Sequence, residues 1–518
     1  MNKIPSNILT IDIGTSSVRA MLFDSNAHPI PGALAQVRTE IQTTGDGGAE
    51  FAADPLFATF VESVDQALKT VPNLPIAAVA MDTFVGNLLG VAEDGTPITP
   101  VITYADTRNA QDANSLRNEF GEEGCRIAHD RTGTLIHAAY WPARFRWITR
   151  THPEWMQKVH HWVTLGDWIY FKLFGRWGCS YSVASWEGML DRRKLVWDEP
   201  FGLRIAAGVH SGRGLQNGDS NANIISNLFS PLVDVDQTYI NLRPEWASRW
   251  PQLATIPWLP AIGDGAAANL GSGCVDSSHV ALTIGTTGAM RVVRNEEMAS
   301  KTDKSTNPQS VPDGLWLYRV DRNRGLLGGA TSEGGNLYGW LMDTLKLPPA
   351  DELEVELAKA QPAAHGLTLL PFIAGERAPG WRADARASLI NFTQHTKPID
   401  IMQAAVEGIA YRLAIIHERL LPSLPTDHQI IASGGALLSS PAWMQIMADV
   451  LGRPVTALLE KEITARGVAV LALETLGLAE RKLEIETGKT YLPNAERHQL
   501  HVVARQQQEK YYKAILAE

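Results

Sequence analysis

Nearly the same short phrase occurs twice in this chain, far apart. Near the start it reads Ile11-Asp12-Ile13-Gly14-Thr15-Ser16-Ser17, and downstream Leu282-Thr283-Ile284-Gly285-Thr286-Thr287-Gly288. Each copy predicts an apolar strand, a turn of glycine and hydroxyl residues, and a second apolar strand, Val18 to Phe23 in one case and Ala289 to Val293 in the other. Such a turn gathers backbone N–H groups and side-chain hydroxyls in one small concavity, which is the donor set a phosphate chain needs. Two copies point to two related lobes facing one nucleotide. Only the first copy carries an acid, Asp12. A carboxylate beside a phosphate site is repulsive unless a divalent cation lies between them, which makes Asp12 the candidate metal ligand.

At 518 residues the chain is too long for one ordinary core, so two or more domains are expected. The net charge of -10 argues against nucleic acid as a partner, because backbone phosphates require a basic face. It leaves room for a small anionic ligand, which needs only local positive groups. The three cysteines, Cys125, Cys179 and Cys274, are widely spaced without metal-ligand spacing and read as reduced buried thiols. No apolar run reaches membrane-spanning length and the N-terminus lacks the core of a signal peptide, so a cytoplasmic protein with no membrane partner is expected. The sequence leaves a homodimer open. Many of the fifteen tryptophans fall between Trp141 and Trp258, which reads either as an aromatic-walled region or as a Trp-rich core.

Strand and helix alternate over the first hundred residues. Pro55 to Leu68 predicts an amphipathic helix with Asp54 as its N-cap. Ile76 to Met81 and Leu88 to Ala92 predict buried strands. The fold class is therefore α/β with a mixed sheet. Downstream, Pro349 to Ala360, Pro398 to Leu420, Pro441 to Leu451 and Ala465 to Leu476 read as helices, and Gln429 to Ala432 as a strand. Residues 211–223 and 301–312 read as polar surface loops.

Further segments carry chemistry. In Gly263-Asp264-Gly265-Ala266 a strand ends in glycines and a helix begins at Asp264. Asp264 reads either as an N-cap or as a general base that takes the proton of an alcohol during phosphoryl transfer. As a base it is expected to keep a low pKa at a helix N-terminus, acting through position rather than basicity. Ser433-Gly434-Gly435 lies between a strand and a helix, where the main chain can be approached closely, with Trp443, Gln445 and Asp449 following. Tyr104-Ala105-Asp106-Thr107-Arg108 pairs a carboxylate with a guanidinium, either to hold hydroxyls or as a surface ion pair. Tyr140, with Trp141 and Arg144, reads as an aromatic wall or as core.

Together these segments resemble the FGGY carbohydrate kinase family, and the resemblance runs from Ile8 to about Leu476 with its motifs in family order. The segment Asp12 to Ser17 is similar to the first phosphate motif, Ile284 to Gly288 to the second, and Ala432 to Gly435 with Trp443, Gln445 and Asp449 to the adenosine motif. Gly375-Glu376-Arg377-Ala378-Pro379 and Ala465-Arg466-Gly467-Val468-Ala469 are similar to two further family stretches.

The resemblance implies two actin-like, ribonuclease H-like ATPase domains, 1–265 holding the sugar and 266–518 mainly holding ATP, with a catalytic cleft between them. It implies Asp264 as catalytic base and Asp12 at the magnesium. Gly14, Thr15, Ser16, Ser17, Gly285, Thr286, Thr287, Ser433, Gly434, Gly435 and Gln445 are then the candidate ATP contacts. Thr83, Asp106, Arg108, Tyr140 and Asp264 are the candidate substrate contacts. Within the family the chain is most similar to gluconokinase-like members. It departs from them at Val85-Gly86-Asn87, where an aromatic residue and a histidine are usual, and at Tyr104, where a tryptophan is usual. Gluconate is the first-choice substrate and a pentulose such as xylulose or ribulose the second. A different class, an actin- or chaperone-like ATPase serving as a nucleotide-gated binding module, would need the phosphate turns but not Asp264 on a glycine bend.

Overall fold

The computed structural model describes residues 7–72, 74–209, 225, 227–296, 310–479 and 483–516. The two hairpins each seed a sheet. In the first, strand β1 (Asn7–Ile13) pairs antiparallel with β2 (Ser17–Phe23), and β2 pairs with β3 (Pro29–Arg38). On its other side β1 lies parallel to β4 (Ile76–Thr83), which is flanked by the short strand β5 (Ile262–Gly263). In the second sheet, β6 (His279–Ile284) forms the hairpin with β7 (Gly288–Asn295), and β7 pairs with β8 (Arg324–Ala330). Here β6 lies parallel to β9 (Gln429–Ser433). The sequence repeat is thus a repeat of topology: an antiparallel hairpin with a parallel strand beside its first arm. Both predicted hairpins and the parallel strands next to them are present.

Apolar alternation explains which strands sit inside. Ile11, Ile13, Val18, Ala20 and Leu22 are fully buried in a core under the first sheet, and Val280, Leu282, Ile284, Met290 and Val292 in a core under the second. Helix α1 (Ala53–Thr70) covers β2 and β3. Its N-cap is Ala52, without a side-chain cap bond, and Asp54 lies inside its first turn. The predicted Asp54 cap is therefore not formed; Asp54 instead places negative charge near the helix N-terminus. The tryptophan-rich region is mostly core: Trp141, Trp162, Trp168, Trp250 and Trp258 are almost wholly buried. The loop 211–223 and most of 301–312 lie outside the described residues.

Two helices join the lobes. Helix α2 (Asp264–Gly271) follows β5 directly, and α3 (Ile463–Thr475) packs both against α2 and against β1 and β4 of the first sheet. They cross at glycines. A Cβ on Gly271 would lie 1.7 Å from the Ile463 carbonyl oxygen, and one on Gly467 would lie 1.8 Å from that of Ala267. Backbone meets backbone there, so neither position has room for a methyl group. Among the described residues no helix is long and apolar enough to cross a membrane.

Gly467→Ala is expected to lower the thermal midpoint by about 2–4 °C for each kcal/mol of overpacking. Gly339→Ala, where a Cβ meets nothing within 4 Å, should leave it unchanged or slightly raised. Scanning calorimetry on both variants checks this; equal midpoints would contradict the tight crossing.

Candidate active site

The hairpin turns present their donors openly. The Gly14 N–H donates to Ser17 O at 3.0 Å and the Gly285 N–H to Thr287 O at 3.0 Å, which closes each turn. Ser16, Thr286 and Thr287 are exposed and Thr15 is half-buried, whereas Ser17 is buried and its hydroxyl accepts from Gln36 at 3.0 Å. In the second lobe the glycine turn after β9 presses on the hairpin. Gly434 has φ +95°, and a Cβ there would lie 2.4 Å from the Ile284 carbonyl oxygen. Only glycine fits this combination of conformation and contact. Gly285 and Gly435 would carry a Cβ into open space, leaving main chain accessible on that face. Gln445 is engaged within the lobe, its amide donating to Asp449 at 2.9 Å and to Leu492 O at 2.8 Å.

The two parallel strand pairs carry different chemistry at one register position. In the first sheet Asp12 lies opposite Asp82; in the second Thr283 lies opposite Ser433, with their hydroxyls 2.9 Å apart. Asp82 is fully buried and neither of its oxygens receives a donor from the protein. Burial first, then the Asp12 and Asp264 charges, hold its carboxyl well above the ordinary range. Asp12 forms an ion pair with Arg19, its cross-strand neighbour, and Arg19 reaches on to Glu462 at the head of α3. An ionic chain therefore runs from the first phosphate turn to the second lobe.

Asp264 is the first residue of α2, and Gly263 is the N-cap. One carboxylate oxygen accepts from the Gly265 N–H at 2.7 Å, and the other receives no protein donor. Its pKa is pushed up to about 6, chiefly by burial and further by Asp12, against the Gly265 bond and the Arg291 and Arg377 charges. The expectation of a low pKa at a helix N-terminus is therefore reversed. A single backbone bond and a short helix do not offset desolvation.

The substrate-side residues divide into two groups. Asp106 is buried and bound to Arg108 at 2.5 Å and to the Ala49 N–H at 3.1 Å. Arg108 also pairs with Glu50 at 2.7 Å and lies over the Trp147 ring at 4.7 Å. That pair is part of a half-buried ionic cluster rather than a surface one. The Thr83 hydroxyl is buried and donates to Phe84 O at 3.1 Å. Tyr140 instead faces the other lobe, its hydroxyl 2.6 Å from that of Tyr318. Tyr318 stacks on Trp186 with ring centroids 3.7 Å apart. The two sequence departures meet in space: Gly86 has φ +66°, and a Cβ on it would lie 2.8 Å from Tyr104 Cβ. Tyr104 thus packs directly on Gly86, and its phenol is raised by burial and by Asp264.

Several site residues were not singled out from sequence. Asp82 had a signal, an acid inside the otherwise apolar run Ile76–Thr83. Arg291 had a similar one, a lone cation in the first half of Gly288–Asn295. Trp186 and Tyr318 had none, because aromatic residues read as core.

The carboxyl of Asp264, the buried Asp82 carboxyl beside the first glycine–hydroxyl turn, and the matching turn in a second lobe are the parts that phosphoryl transfer to a hydroxyl requires. Residues 7–271 match the model of the FGGY family of carbohydrate kinases, N-terminal domain, and residues 280–475 match its C-terminal domain. The chain belongs to the FGGY family of carbohydrate kinases and has its two-lobed actin-like α/β fold. It is 28% identical over 484 residues to gluconokinase of Bacillus licheniformis, covering 91% of this chain and 88% of that protein. It is 23% identical over 520 residues to xylulose kinase of Staphylococcus epidermidis, covering 98% and 95%. Its fold is that of gluconate kinase from Lactobacillus acidophilus, with TM-score 0.86, 22% identity, and 99% and 98% of the two chains covered.

Asp82→Asn is expected to raise the thermal midpoint. The raised folded pKa means that the folded chain keeps a proton the unfolded chain has lost. Stability from this group therefore falls as pH climbs above about 4. The gain in Asn should be larger at about pH 8 than at about pH 5; an equal gain at both would show that the carboxyl is ionised in the fold.

Proposed function

We propose that this carbohydrate kinase transfers the γ-phosphoryl group of ATP to a hydroxyl of a small sugar acid, gluconate first, with a pentulose such as xylulose or ribulose second. The observation that carries this is the Asp264 carboxyl. It stands at the start of a helix with one oxygen free, between Asp12 on one side and two cations on the other. A base in that position takes the proton of the accepting hydroxyl as the phosphorus–oxygen bond forms. Its pKa of about 6 leaves it mostly ionised at neutral pH while making it a stronger base than an ordinary carboxylate.

The other roles follow from placement. Thr15, Ser16, Thr286 and Thr287 offer hydroxyls to the phosphate chain, and Gly285 and Gly435 leave main chain open to the nucleotide. Magnesium fits beside Asp12, because the partnerless Asp82 carboxyl faces the same place. Among the described residues no group of three or more His, Cys, Asp or Glu forms a metal cage. Magnesium on phosphates needs only one or two carboxylates and water. When bound it would neutralise phosphate charge. Relatives named gluconokinase support the sugar acid, and relatives named xylulose kinase keep the pentulose as the second reading.

A coupled ADP-release assay over gluconate, xylulose, ribulose and glycerol is expected to respond most strongly to gluconate. Hydrolysis that ignores every sugar would contradict the proposal. Asp264→Asn should lose at least about 100-fold in sugar-dependent turnover while still binding ATP. The wild-type kcat/KM should fall as pH drops below about 6, because the base is then protonated; a flat acid limb there would remove Asp264 from the role.

A further inference from the structure

The cleft beside Asp264 holds cations and donors that the protein itself leaves unsatisfied. Arg291 lies on β7 of the second lobe, where the antiparallel pairing places it opposite Ala281 and Gly328. Its guanidinium reaches across to the first lobe: a Cβ on Gly265 would lie 3.8 Å from Arg291 Nε. That nitrogen is buried and has no hydrogen-bond partner. The indole nitrogen of Trp186, against Gly263 on the same side, is also buried and partnerless. Arg377 belongs to the turn after Phe372 and feels the same Asp264 charge. Neither Arg291 nor Arg377 has a carboxylate partner among the described residues, although most other half-buried arginines here do, Arg19, Arg108 and Arg131 among them.

We propose that Arg291, with Arg377 beside it, receives the carboxylate of a sugar-acid substrate and makes the enzyme select aldonates over neutral polyols. The inference rests on the kinase reading and deepens it. Taking a guanidinium out of water without an acceptor is unfavourable, so an unpaired one lining a cleft is matched to an anion that arrives from outside. A carboxylate offers the planar pair of acceptors that a guanidinium fork fits. Trp186 lays the six-membered edge of its indole against Gly265 beside Arg291 and walls the subsite there. The phosphate chain is the other anion available. Arg291 lies within 3.8 Å of a Cβ built on Gly265, the residue after the base, and three residues along β7 from the second hairpin turn, so the anion it receives lies beside Asp264.

The test compares gluconate with glucitol, which has the same carbon skeleton with a hydroxymethyl group in place of the carboxylate, and with xylulose. Initial rates and calorimetric binding are measured for wild type, Arg291→Gln and Arg291→Lys. Arg291→Gln should lose about 100-fold in gluconate kcat/KM and affinity, Arg291→Lys should recover part of it, and the gluconate loss should exceed the loss for the neutral ligands by at least about tenfold. Equal losses for gluconate and a neutral substrate would assign Arg291 to the phosphate or to the fold, and unchanged gluconate values would leave it no role. Either result overturns the proposal. Wild type that binds gluconate without gluconate-dependent ADP release keeps the subsite and overturns the kinase reading. Turnover of xylulose with no gluconate binding does the reverse.

Discussion

The arrangement of the cleft depends on one backbone contact, the crossing of α2 and α3 at Gly271 and Gly467. Helix α2 leaves the first sheet at β5 and begins with Asp264. Helix α3 belongs to the second lobe but rests on β1 and β4 of the first. Because two glycines let the helices approach to backbone contact, the crossing fixes the lateral position of α2 without intervening side chains. Asp264 is therefore held against both lobes at once, near Asp12 on one and Arg291 on the other. Arg19 strengthens the same junction by linking Asp12 to Glu462 at the head of α3.

Built on that junction, a duplicated topology performs two different tasks. The hairpins and their parallel neighbours match strand for strand, yet one register position holds two carboxyls in the first lobe and two hydroxyls in the second. The hydroxyls satisfy each other at 2.9 Å and carry no charge. No protein donor reaches the Asp82 oxygens, and burial with the neighbouring Asp12 holds Asp82 in its protonated form. Two ionised carboxylates at this position would be favourable only beside a cation. The first lobe thus gathers acidic groups at the position where the second holds neutral hydroxyls.

The repeat, the hairpins, the parallel strands and the Asp264 helix were readable because each rests on local pattern: apolar runs, glycine turns and helix-start residues. What was not readable depends on distance in space. The pKa of Asp264 is set chiefly by burial, which outweighs the Gly265 N–H of its own helix, while Arg291 and Asp12, both remote in sequence, act on it in opposite directions. Asp106 and Arg108 were legible as a pair, but only packing shows Glu50 and Trp147 completing a half-buried cluster around them. Gly86 and Tyr104 stand apart in sequence as two departures and meet in space, where a Cβ on Gly86 would lie 2.8 Å from Tyr104 Cβ.

The most direct measurement is phosphorus-31 NMR of the reaction of ATP, magnesium and gluconate with the wild-type enzyme. The account predicts a new phosphomonoester resonance, coupled to protons of the sugar acid, growing in step with ADP. Inorganic phosphate as the sole new species would contradict it, because the γ-phosphoryl group would then have gone to water and not to a hydroxyl held at Asp264.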